Sequence, residues 1–421
     1  MTQELALCGG TPVRTKPFPQ WPIFGEEEEQ SLLRALRSGK WGRLDGAEVA
    51  RFERAFADYH QAKHAIAVVN GTVSLQIALL AAGIQAGDEV IVPPYTFLST
   101  ASAVVAANAT PIFVDVELDT FNIDLKLVEA AITPRTRAII PVHFGGLPVD
   151  MDALLDIAKR HSLTVIEDAA HAHGVGYKGR RIGAIGHIGS FSFQSSKNLT
   201  SGEGGIILSN DDALAERCRS IHNCGRIPGG MWYDHHVISG NYRLSEFQGA
   251  MLNAQFARFD EQANTREQNG KYLAKRLAKI PGLPTQSRTA DCTRHGYHLF
   301  LLRLDSQLLG MSRAAFLKAL VAEGIPCMAG YARGLERQPL FTNLAFGPYR
   351  GYQADHPQLD YRKMLCPNSD LLCSSQAVWL EQRLLLGTQH DMDDIADACE
   401  KVYRNRAQLA ASDCQATKGV Q

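Results

Sequence analysis

The sequence lacks the patterns of membrane-spanning, secreted and coiled-coil proteins. None of its apolar runs reaches the roughly 18 residues that a transmembrane helix needs. The N-terminal segment, Met1 to Gly10, has neither a basic stretch nor a long apolar core, so we expect no secretory signal. Internal repeats and coiled-coil heptads are also missing. These absences favour a cytoplasmic protein without a membrane partner.

An excess of charge of either sign is missing too. The chain has 43 Lys+Arg and 44 Asp+Glu, which gives a formal net charge of -1. This balance argues against binding to nucleic acid and against a polybasic membrane anchor. The 9 cysteines are odd in number and scattered, and no C-x-x-C pair occurs. We interpret them as free thiols in a reducing compartment, not as a disulfide framework or a zinc site.

Strands and helices alternate over the first half of the chain. Apolar strands at His64–Val69 and Glu89–Pro93 each precede a helical stretch, and the alternation continues to a strand at Leu163–Glu167. Strands such as A-I-I-P-V and L-T-V-I-E are almost wholly apolar, which is typical of a sheet covered by helices on both faces. Right-handed crossovers then make the sheet mostly parallel. The fold class predicted from these residues is α/β.

The length of 421 residues is long for one domain and suits two. Pro281-Gly282-Leu283-Pro284 is the best candidate boundary between them. Beyond it, the pattern predicts a short strand at Ile325–Met328 and a late helix from about Asp391 to Leu409. The predicted segments are an N-terminal loop (1–25), a large α/β domain (26–280), a smaller α+β domain (281–411) and a flexible tail (412–421).

The most informative stretch runs from His187 to Gly205 and reads H-I-G-S-F-S-F-Q-S-S-K-N-L-T-S-G-E-G-G. Its one lysine, Lys197, lies between two predicted buried strands, where an unpaired lysine is unusual. Desolvation would lower the pKa of its amine and make it a better nucleophile toward a carbonyl. Our hypothesis is that Lys197 forms a Schiff base with pyridoxal phosphate. A surface lysine at a strand–turn–strand junction is the alternative.

Two further features follow the ends of predicted strands, where open α/β sheets bind their ligands. Asn70-Gly71-Thr72 joins a strand to a helical stretch at Ser74–Ala82, and its N–H groups and Thr72 hydroxyl could hold a phosphate. A plain turn with a capping threonine fits the same residues. Phe97 ends the run P-P-Y-T-F and could stack on a planar ring, although a core phenylalanine is an equal alternative.

An aspartate, Asp168, ends the strand before the segment A-A-H-A-H. A carboxylate is costly at the end of a buried strand unless a positive group pairs with it. The protonated ring nitrogen of pyridoxal phosphate is such a partner. His171 and His173 could instead bind a metal, but the spacing suggests no third ligand.

Taken together, these stretches resemble the sugar and cyclitol aminotransferases of the DegT type, which are fold-type I pyridoxal-phosphate enzymes. The resemblance covers roughly residues 21–404, and its most specific part is the lysine segment. The resemblance implies a fold-type I architecture with a mostly parallel sheet covered by helices and a smaller C-terminal α+β domain. The matching stretches are V-V-N-G-T-V-S-L (68–75), G-D-E-V-I-V-P-P-Y-T-F (87–97), P-I-F-V-D-V (111–116), V-I-E-D-A-A-H-A-H-G (165–174), G-S-F-S-F-Q-S-S-K-N-L-T-S-G-E-G-G (189–205) and N-Y-R-L-S-E-F-Q-G-A (241–250).

The resemblance also implies roles for single residues. Lys197 would be both the Schiff-base lysine and the acid and base of the reaction, Asp168 would pair with the pyridine nitrogen, and Phe97 would stack on the ring. The implied phosphate contacts are Gly71, Thr72, Val73 and Ser192.

Two implied roles need separate mention. His171 stands where many members have glutamine beside the cofactor's 3′-oxygen, and histidine can donate the same hydrogen bond. Asn241 matches an asparagine that reaches the phosphate of the neighbouring subunit. The resemblance therefore implies a homodimer with shared active sites.

The strings E-D-A-A-H-A-H-G and H-N-C-G-R (222–226) most resemble the branch that aminates keto-cyclitols. That branch uses L-glutamine and acts on scyllo-inosose or 2-deoxy-scyllo-inosose during antibiotic biosynthesis. Glutamate as donor, a keto-sugar or nucleotide-sugar acceptor, a dehydratase and a non-catalytic regulator remain alternatives. Lys197 favours transamination, since members without this lysine do not transaminate. Candidates for substrate contacts, each of which also fits a structural role, are Arg226, Arg243, His222 and His236.

Overall fold

The computed structural model describes residues 4–347, 349–351 and 359–409. Its main feature is a sheet of seven strands that pass through the middle of the larger part of the molecule. Two short strands, β6 and β7, lie outside this sheet and pair with each other. The first nine strands are β1 (His64–Val68), β2 (Glu89–Val92), β3 (Thr110–Phe113), β4 (Thr136–Ile139), β5 (Thr164–Asp168), β6 (Gly176–Tyr177), β7 (Arg180–Arg181), β8 (Ile188–Ser192) and β9 (Gly205–Ser209).

The order across the sheet is β1-β9-β8-β5-β4-β2-β3, and only β9 runs antiparallel to its neighbours. The predicted mostly parallel sheet is confirmed. β8 and β9 pair directly, and the chain between them folds as turns without a crossover helix. A connection of this kind suits an antiparallel pair, whereas parallel neighbours need a crossover. This connection contains Lys197.

Helices cover both faces of the sheet. Alternate residues of one strand enter two different apolar cores: Ala65 and Ala67 of β1 pack in one, and Ile66 and Val68 in the other. This division follows from the two-residue period of a strand and confirms the predicted double cover. The helices of the larger part are α1 (Glu26–Arg37), α2 (Glu48–His60), α3 (Gly71–Ala81), α4 (Ser99–Ala106), α5 (Leu125–Ala131), α6 (Met151–Arg160), α7 (Asp212–His222), α8 (Glu246–Ala257) and α9 (Phe259–Leu277).

The remaining chain forms a smaller α+β part with its own core. β11 and β12 pair antiparallel along their whole length, while β10 pairs with β6 of the larger part. None of the described helices is long and apolar enough to cross a membrane. The elements are β10 (Cys292–Arg294), β11 (Leu299–Arg303), α10 (Ser306–Leu309), α11 (Arg313–Ala322), α12 (Pro339–Thr342), α13 (Pro367–Leu371), β12 (Ala377–Glu381) and α14 (Gln389–Arg404).

The core of the smaller part includes residues from outside the predicted 281–411 segment. Leu273 and Leu277 of α9 and Leu5 and Phe18 of the N-terminal loop all pack in it. We therefore propose that the structural boundary falls within α9, although the connection does turn at the predicted Pro281–Pro284. The predicted tail, 412–421, lies outside the described residues.

One predicted element is wrong. Residues 325–328 do not form a strand, and only Met328 pairs, through a single bridge to Trp379. Ile325 is fully buried in the core of the smaller part, so its apolar character reflects packing of an irregular segment. The late helix begins two residues before its predicted start, where Thr388 caps it, and α14 ends at Arg404.

Candidate active site

A cavity of about 800 Å³ opens at the edge of the sheet where parallel strands end. Residues at or just after the carboxyl ends of five strands line it, as expected for an open α/β sheet. The other side of the cavity comes from the smaller part, including Tyr331 and Trp379, and from Trp21 of the N-terminal loop. The residues at strand ends are Asn70 after β1, Phe97 after β2, Val142 after β4, Asp168 in β5 and Ser192 in β8.

Lys197 lines this cavity, as the sequence predicts. Hydrogen bonds fix its loop, since Thr200 Oγ1 donates to the Phe193 carbonyl at 2.9 Å and Asn198 Nδ2 donates to the Gly296 carbonyl at 2.7 Å. Burial lowers the pKa of the Lys197 amine from 10.5 to about 8, and the nearby Asp168 opposes this effect. Among the described residues, nothing forms a hydrogen bond or ion pair with its Nζ. The amine is therefore available to a ligand.

The carboxylate of Asp168 is buried, and only neutral groups hydrogen-bond to it. Thr100 Oγ1 donates to its Oδ2 at 2.8 Å, and the Ala170 N–H donates to its Oδ1 at 3.2 Å. No lysine, arginine or histidine of the described chain lies within 4 Å of it, and burial raises its pKa. A buried carboxylate in this state is stabilised by a cationic partner. A protonated pyridine nitrogen fits this requirement.

The turn predicted to bind phosphate lies at the N-terminus of α3. The helix begins at Gly71, three residues before the predicted start, so the N–H groups of Gly71 and Thr72 lie in its first turn. Asn70 Oδ1 already accepts the N–H of Val73 at 2.9 Å. The predicted backbone contact from Val73 is therefore committed to the helix cap. Gly71 and Thr72 keep N–H groups in the first turn of the helix, where they can bind an anion.

Glycine is required where the strands approach this turn. A Cβ on Gly71 would lie 2.7 Å from the Ser192 Cβ, and a Cβ on Gly205 would lie 2.6 Å from the Asn70 carbonyl. This close packing brings the Ser192 hydroxyl next to the turn. The hydroxyls of Thr72 and Ser99 lie 2.5 Å apart at the same place. The backbone N–H groups and these hydroxyls form a cradle of hydrogen-bond donors of the kind that binds a phosphate.

Two side chains fit the faces and edge of a planar ring. Phe97 follows β2 and is 61% exposed although it lines the cavity, which leaves a ring face free for stacking. His171 is buried, and its Nδ1 accepts the Gly145 N–H at 3.3 Å. Burial keeps the pKa of His171 well below its usual value, so the ring is neutral with its proton on Nε2. His171 can therefore donate one hydrogen bond through Nε2, and its predicted contact with the cofactor oxygen stays a prediction.

Asn241 does not line the cavity of its own chain. It is exposed and bridges to Asn223, and its Oδ1 accepts the Arg243 N–H at 3.4 Å. Its predicted contact with a neighbouring subunit stays a prediction. The candidate substrate contacts Arg226, Arg243, His222 and His236 also lie outside this cavity.

The sequence interpretation missed the residues that the smaller part brings to the cavity. They include His298, whose ring lies against that of His171 with centroids 4.2 Å apart and the planes tilted by 33°, and the run Glu381-Gln382-Arg383 at and just after the end of β12. No local motif marks these positions, because they reach the site through the pairing of β11 with β12.

The lysine, the aspartate, the phosphate cradle and the exposed ring face fit pyridoxal phosphate. The chain belongs to the DegT/DnrJ/EryC1/StrS aminotransferase family, whose model matches residues 22–356. It is a pyridoxal-phosphate-dependent aminotransferase of fold type I. The resemblance stated from the sequence is thereby confirmed.

Named relatives match almost the whole chain. An L-glutamine:2-deoxy-scyllo-inosose aminotransferase from Streptomyces kanamyceticus is 38% identical over 97% of this chain and 99% of that protein. The 3-amino-5-hydroxybenzoate synthase of Amycolatopsis mediterranei (strain S699) is also 38% identical, over 90% of this chain and 96% of that protein. A crystal structure of 3-amino-5-hydroxybenzoic acid synthase superposes with a TM-score of 0.83 at 36% identity, covering 93% of this chain and all of that one.

Proposed function

We propose that this enzyme moves an amino group from L-glutamine to a keto-cyclitol of the scyllo-inosose or 2-deoxy-scyllo-inosose type. The observation that carries the proposal is that Lys197 and Asp168 line one cavity with room for a cofactor and a six-membered polyol. The relative from Streptomyces kanamyceticus, whose name includes both the donor and such an acceptor, supports the choice of substrates. The same reaction would belong to the biosynthesis of aminocyclitol antibiotics.

Each residue of the site has a proposed task toward the cofactor. Pyridoxal phosphate, when bound, supplies a ring that takes up the negative charge left when a carbon next to nitrogen loses its proton. Asp168 keeps the ring nitrogen protonated, and Phe97 stacks on one ring face. His171 Nε2–H donates to the ring oxygen. The phosphate contacts are the N–H groups of Gly71 and Thr72 and the hydroxyls of Thr72, Ser99 and Ser192.

Lys197 is the proton carrier in this proposal. Its Nζ would take the proton from the α-carbon of the amino donor and deliver it to the carbon that carries the aldehyde group in free pyridoxal phosphate. Burial lowers the pKa of this amine to about 8 in the cofactor-free chain, closer to neutral pH than an ordinary lysine, which suits a group that must both accept and donate a proton. In the second half of the cycle the same amine works in reverse on the acceptor.

The rest of the cavity supports a polyol acceptor. Its lining includes both aromatic side chains and side chains with hydroxyl, amide or carboxylate groups, and this mixture is suited to a ring that carries several hydroxyls. The polar members are Gln194, Ser195, Ser196, Glu203 and Gln382, and the aromatic members are Trp21, Tyr331 and Trp379.

We also propose a homodimer in which Asn241 completes the phosphate site of the partner. The segment that ends at Asn241 exposes large apolar side chains, which a second copy would cover. The exposed side chains are Ile227, Met231, Trp232, Tyr233, Val237 and Ile238.

We further propose a cytoplasmic location. Every described cysteine is a free thiol, which supports this proposal.

The test follows the visible absorbance of the bound cofactor. In the purified protein, L-glutamine should bleach the visible absorbance band of the cofactor that is linked to Lys197. Adding scyllo-inosose or 2-deoxy-scyllo-inosose should then restore this band. Lys197→Ala is the control, and it should hold the cofactor without turnover. A band that ignores every amino donor would contradict the aminotransferase cycle.

A nucleotide-linked keto-sugar is a second candidate acceptor. A structure of DesI in the presence of its TDP-sugar product superposes with a TM-score of 0.81 at 29% identity, over 98% of this chain and 99% of that one. A TDP-linked keto-sugar therefore belongs in the acceptor panel. If the TDP-linked keto-sugar restores the absorbance band and neither cyclitol does, the proposed substrate class is wrong.

A further inference from the structure

The cavity needs a cation for the carboxylate of an amino acid, and the structure offers one. Lys197 and Arg383 are the only lysine or arginine side chains among the described residues that line the cavity. Lys197 is committed to the cofactor and to proton transfer in the proposed cycle. Arg383 lies two residues beyond the end of β12, whose last residue, Glu381, pairs with Leu299 of β11. Arg383 is therefore the residue available to bind an anionic substrate group.

Arg383 is held in place by two contacts. Its Nε donates to Glu381 Oε2 at 2.8 Å, and its Nη1 donates to the Pro19 carbonyl at 3.1 Å. The exposed fractions of the Arg383 and Glu381 side chains are 27% and 44%. An ion pair with this much exposure contributes little to stability, so another carboxylate can replace Glu381 at small cost. Its Nη2 has no hydrogen bond within the described chain and can bind a ligand oxygen.

A second arginine makes the same wall more positive. Arg266 is fully buried in α9, where its Nε donates to Gln382 Oε1 at 2.8 Å and its guanidinium lies 5.2 Å from the Trp21 ring centroid. Both Gln382 and Trp21 line the cavity. The Nη1 and Nη2 groups of Arg266 have no hydrogen-bond partner among the described residues. This uncompensated charge lies one side chain behind the wall and attracts an anion toward Arg383.

The two substrates of the cycle differ in charge. An amino-acid donor presents an α-carboxylate, whereas a keto-cyclitol is uncharged, and both must occupy the same cavity in turn. A guanidinium without a counterion is unfavourable when the uncharged substrate displaces water. A neighbouring carboxylate that pairs with the guanidinium only during that half of the cycle removes this cost.

We propose that Arg383 binds the α-carboxylate of the amino donor and that Glu381 takes the place of this carboxylate when the uncharged acceptor is bound. This inference rests on the proposed function, because it assigns the donor subsite of the same cavity. The exchange explains how one cavity accepts an anionic and a neutral substrate in alternation.

The test compares a carboxylate with its neutral counterpart in the holoenzyme. 4-Carbamoylbutanoate is glutamine without its α-amino group, so it cannot react, and glutaramide replaces its carboxylate with an amide. Calorimetry should show that the wild-type enzyme prefers the carboxylate by about 10- to 100-fold, the range of a hydrogen-bonded charge pair. Arg383→Gln should abolish the preference. Arg404→Gln is the matched control, since Arg404 forms an exposed pair with Glu400 on α14 and does not line the cavity.

The two half-reactions provide a second measurement. Arg383→Gln should raise the KM for L-glutamine by about tenfold or more with a small change in kcat, and Arg383→Lys should restore part of the loss. Glu381→Gln should keep or tighten carboxylate binding, because the competing carboxylate is gone, and should raise the KM for the acceptor. Retention of the carboxylate preference in Arg383→Gln, or weaker carboxylate binding in Glu381→Gln, would overturn the exchange.

Failure of the proposed function gives a different result. If L-glutamine does not bleach the wild-type band but another amino acid does, the donor assignment is wrong. In that case, the role of Arg383 is tested by comparing the binding of that amino acid with the binding of its α-carboxamide, in the wild type and in the same variants. A wild-type enzyme that binds both analogues equally overturns the donor subsite whatever the acceptor is.

Discussion

The lysine at the centre of the site should titrate far below an ordinary lysine. Burial lowers the pKa of Lys197 from 10.5 to about 8 in the cofactor-free protein. A difference of about 2.5 in pKa corresponds to about 3 kcal/mol between the charged and neutral forms. At pH 8 about half of the Lys197 amine is neutral, compared with about 0.3% of an exposed lysine, which is a difference of about 150-fold.

Competitive labelling measures this difference directly. Cofactor-free protein is treated with trace acetic anhydride over a range of pH, and peptide mass spectrometry gives the labelling of each lysine. Lys197 should show a labelling midpoint near pH 8, and the exposed Lys363, labelled in the same samples, serves as an internal control for the reagent. Asp168→Asn should lower the Lys197 midpoint further, because the carboxylate of Asp168 raises it. A Lys197 midpoint above pH 10 would refute the argument from burial.

The same shift affects stability with a defined sign. Because the folded pKa is lower than the unfolded one, the unfolded chain binds more protons between about pH 8 and 10.5. This group therefore costs stability below about pH 8, and the cost fades as the pH rises through that window. As the pH increases through this window, the free energy of unfolding measured with urea should rise by up to about 3 kcal/mol more for the wild-type protein than for Lys197→Met. If the unfolding free energies of the two proteins change in parallel with pH across this window, the lowered pKa of Lys197 is contradicted.

The other predictions concern the cofactor cradle and the dimer. Gly205→Ala places a Cβ against the backbone of the phosphate turn, so we expect weaker cofactor binding and a loss of about 1–3 kcal/mol in unfolding free energy. Gly42→Ala, where a Cβ meets nothing within 4 Å, is its control for calorimetry and denaturation. Thr100→Val removes a donor to Asp168 and should raise the pKa of that carboxyl and speed cofactor release, which dialysis measures against wild type. Mixed dimers of Asn241→Ala with the lysine-to-alanine variant should regain activity, and inactive confirmed heterodimers would count against shared sites.

The residues proposed to bind the cofactor could be picked out from the sequence because each lies in a local motif. Lys197 follows a buried strand, Asp168 ends one, and the turn before α3 follows another. In an open α/β sheet such strand ends meet at one edge, so local motifs suffice to bring these residues together. The order of the strands was beyond local reasoning, because the position of β9 between β1 and β8 depends on pairing between distant segments.

Predictions for the smaller part were weaker for a physical reason. Of residues 325–328 only Ile325 is fully buried in the core, and an apolar run alone does not distinguish such packing from strand pairing. β12 was not predicted at all, although it pairs with β11 over five residue pairs. The side chains that this strand carries to the cavity therefore had no signal in the sequence.

This difference between the two parts separates two kinds of effect. The larger part provides Lys197, Asp168 and the phosphate turn, which line the cavity and to which we assign the cofactor. The smaller part provides Glu381 and Arg383, which face the space left for substrates. Substitutions in the first group should change cofactor affinity, whereas Arg383→Gln should leave it unchanged and alter the choice between a charged and a neutral ligand. Equal loss of cofactor from Arg383→Gln and Thr100→Val would show that the two parts do not divide these tasks.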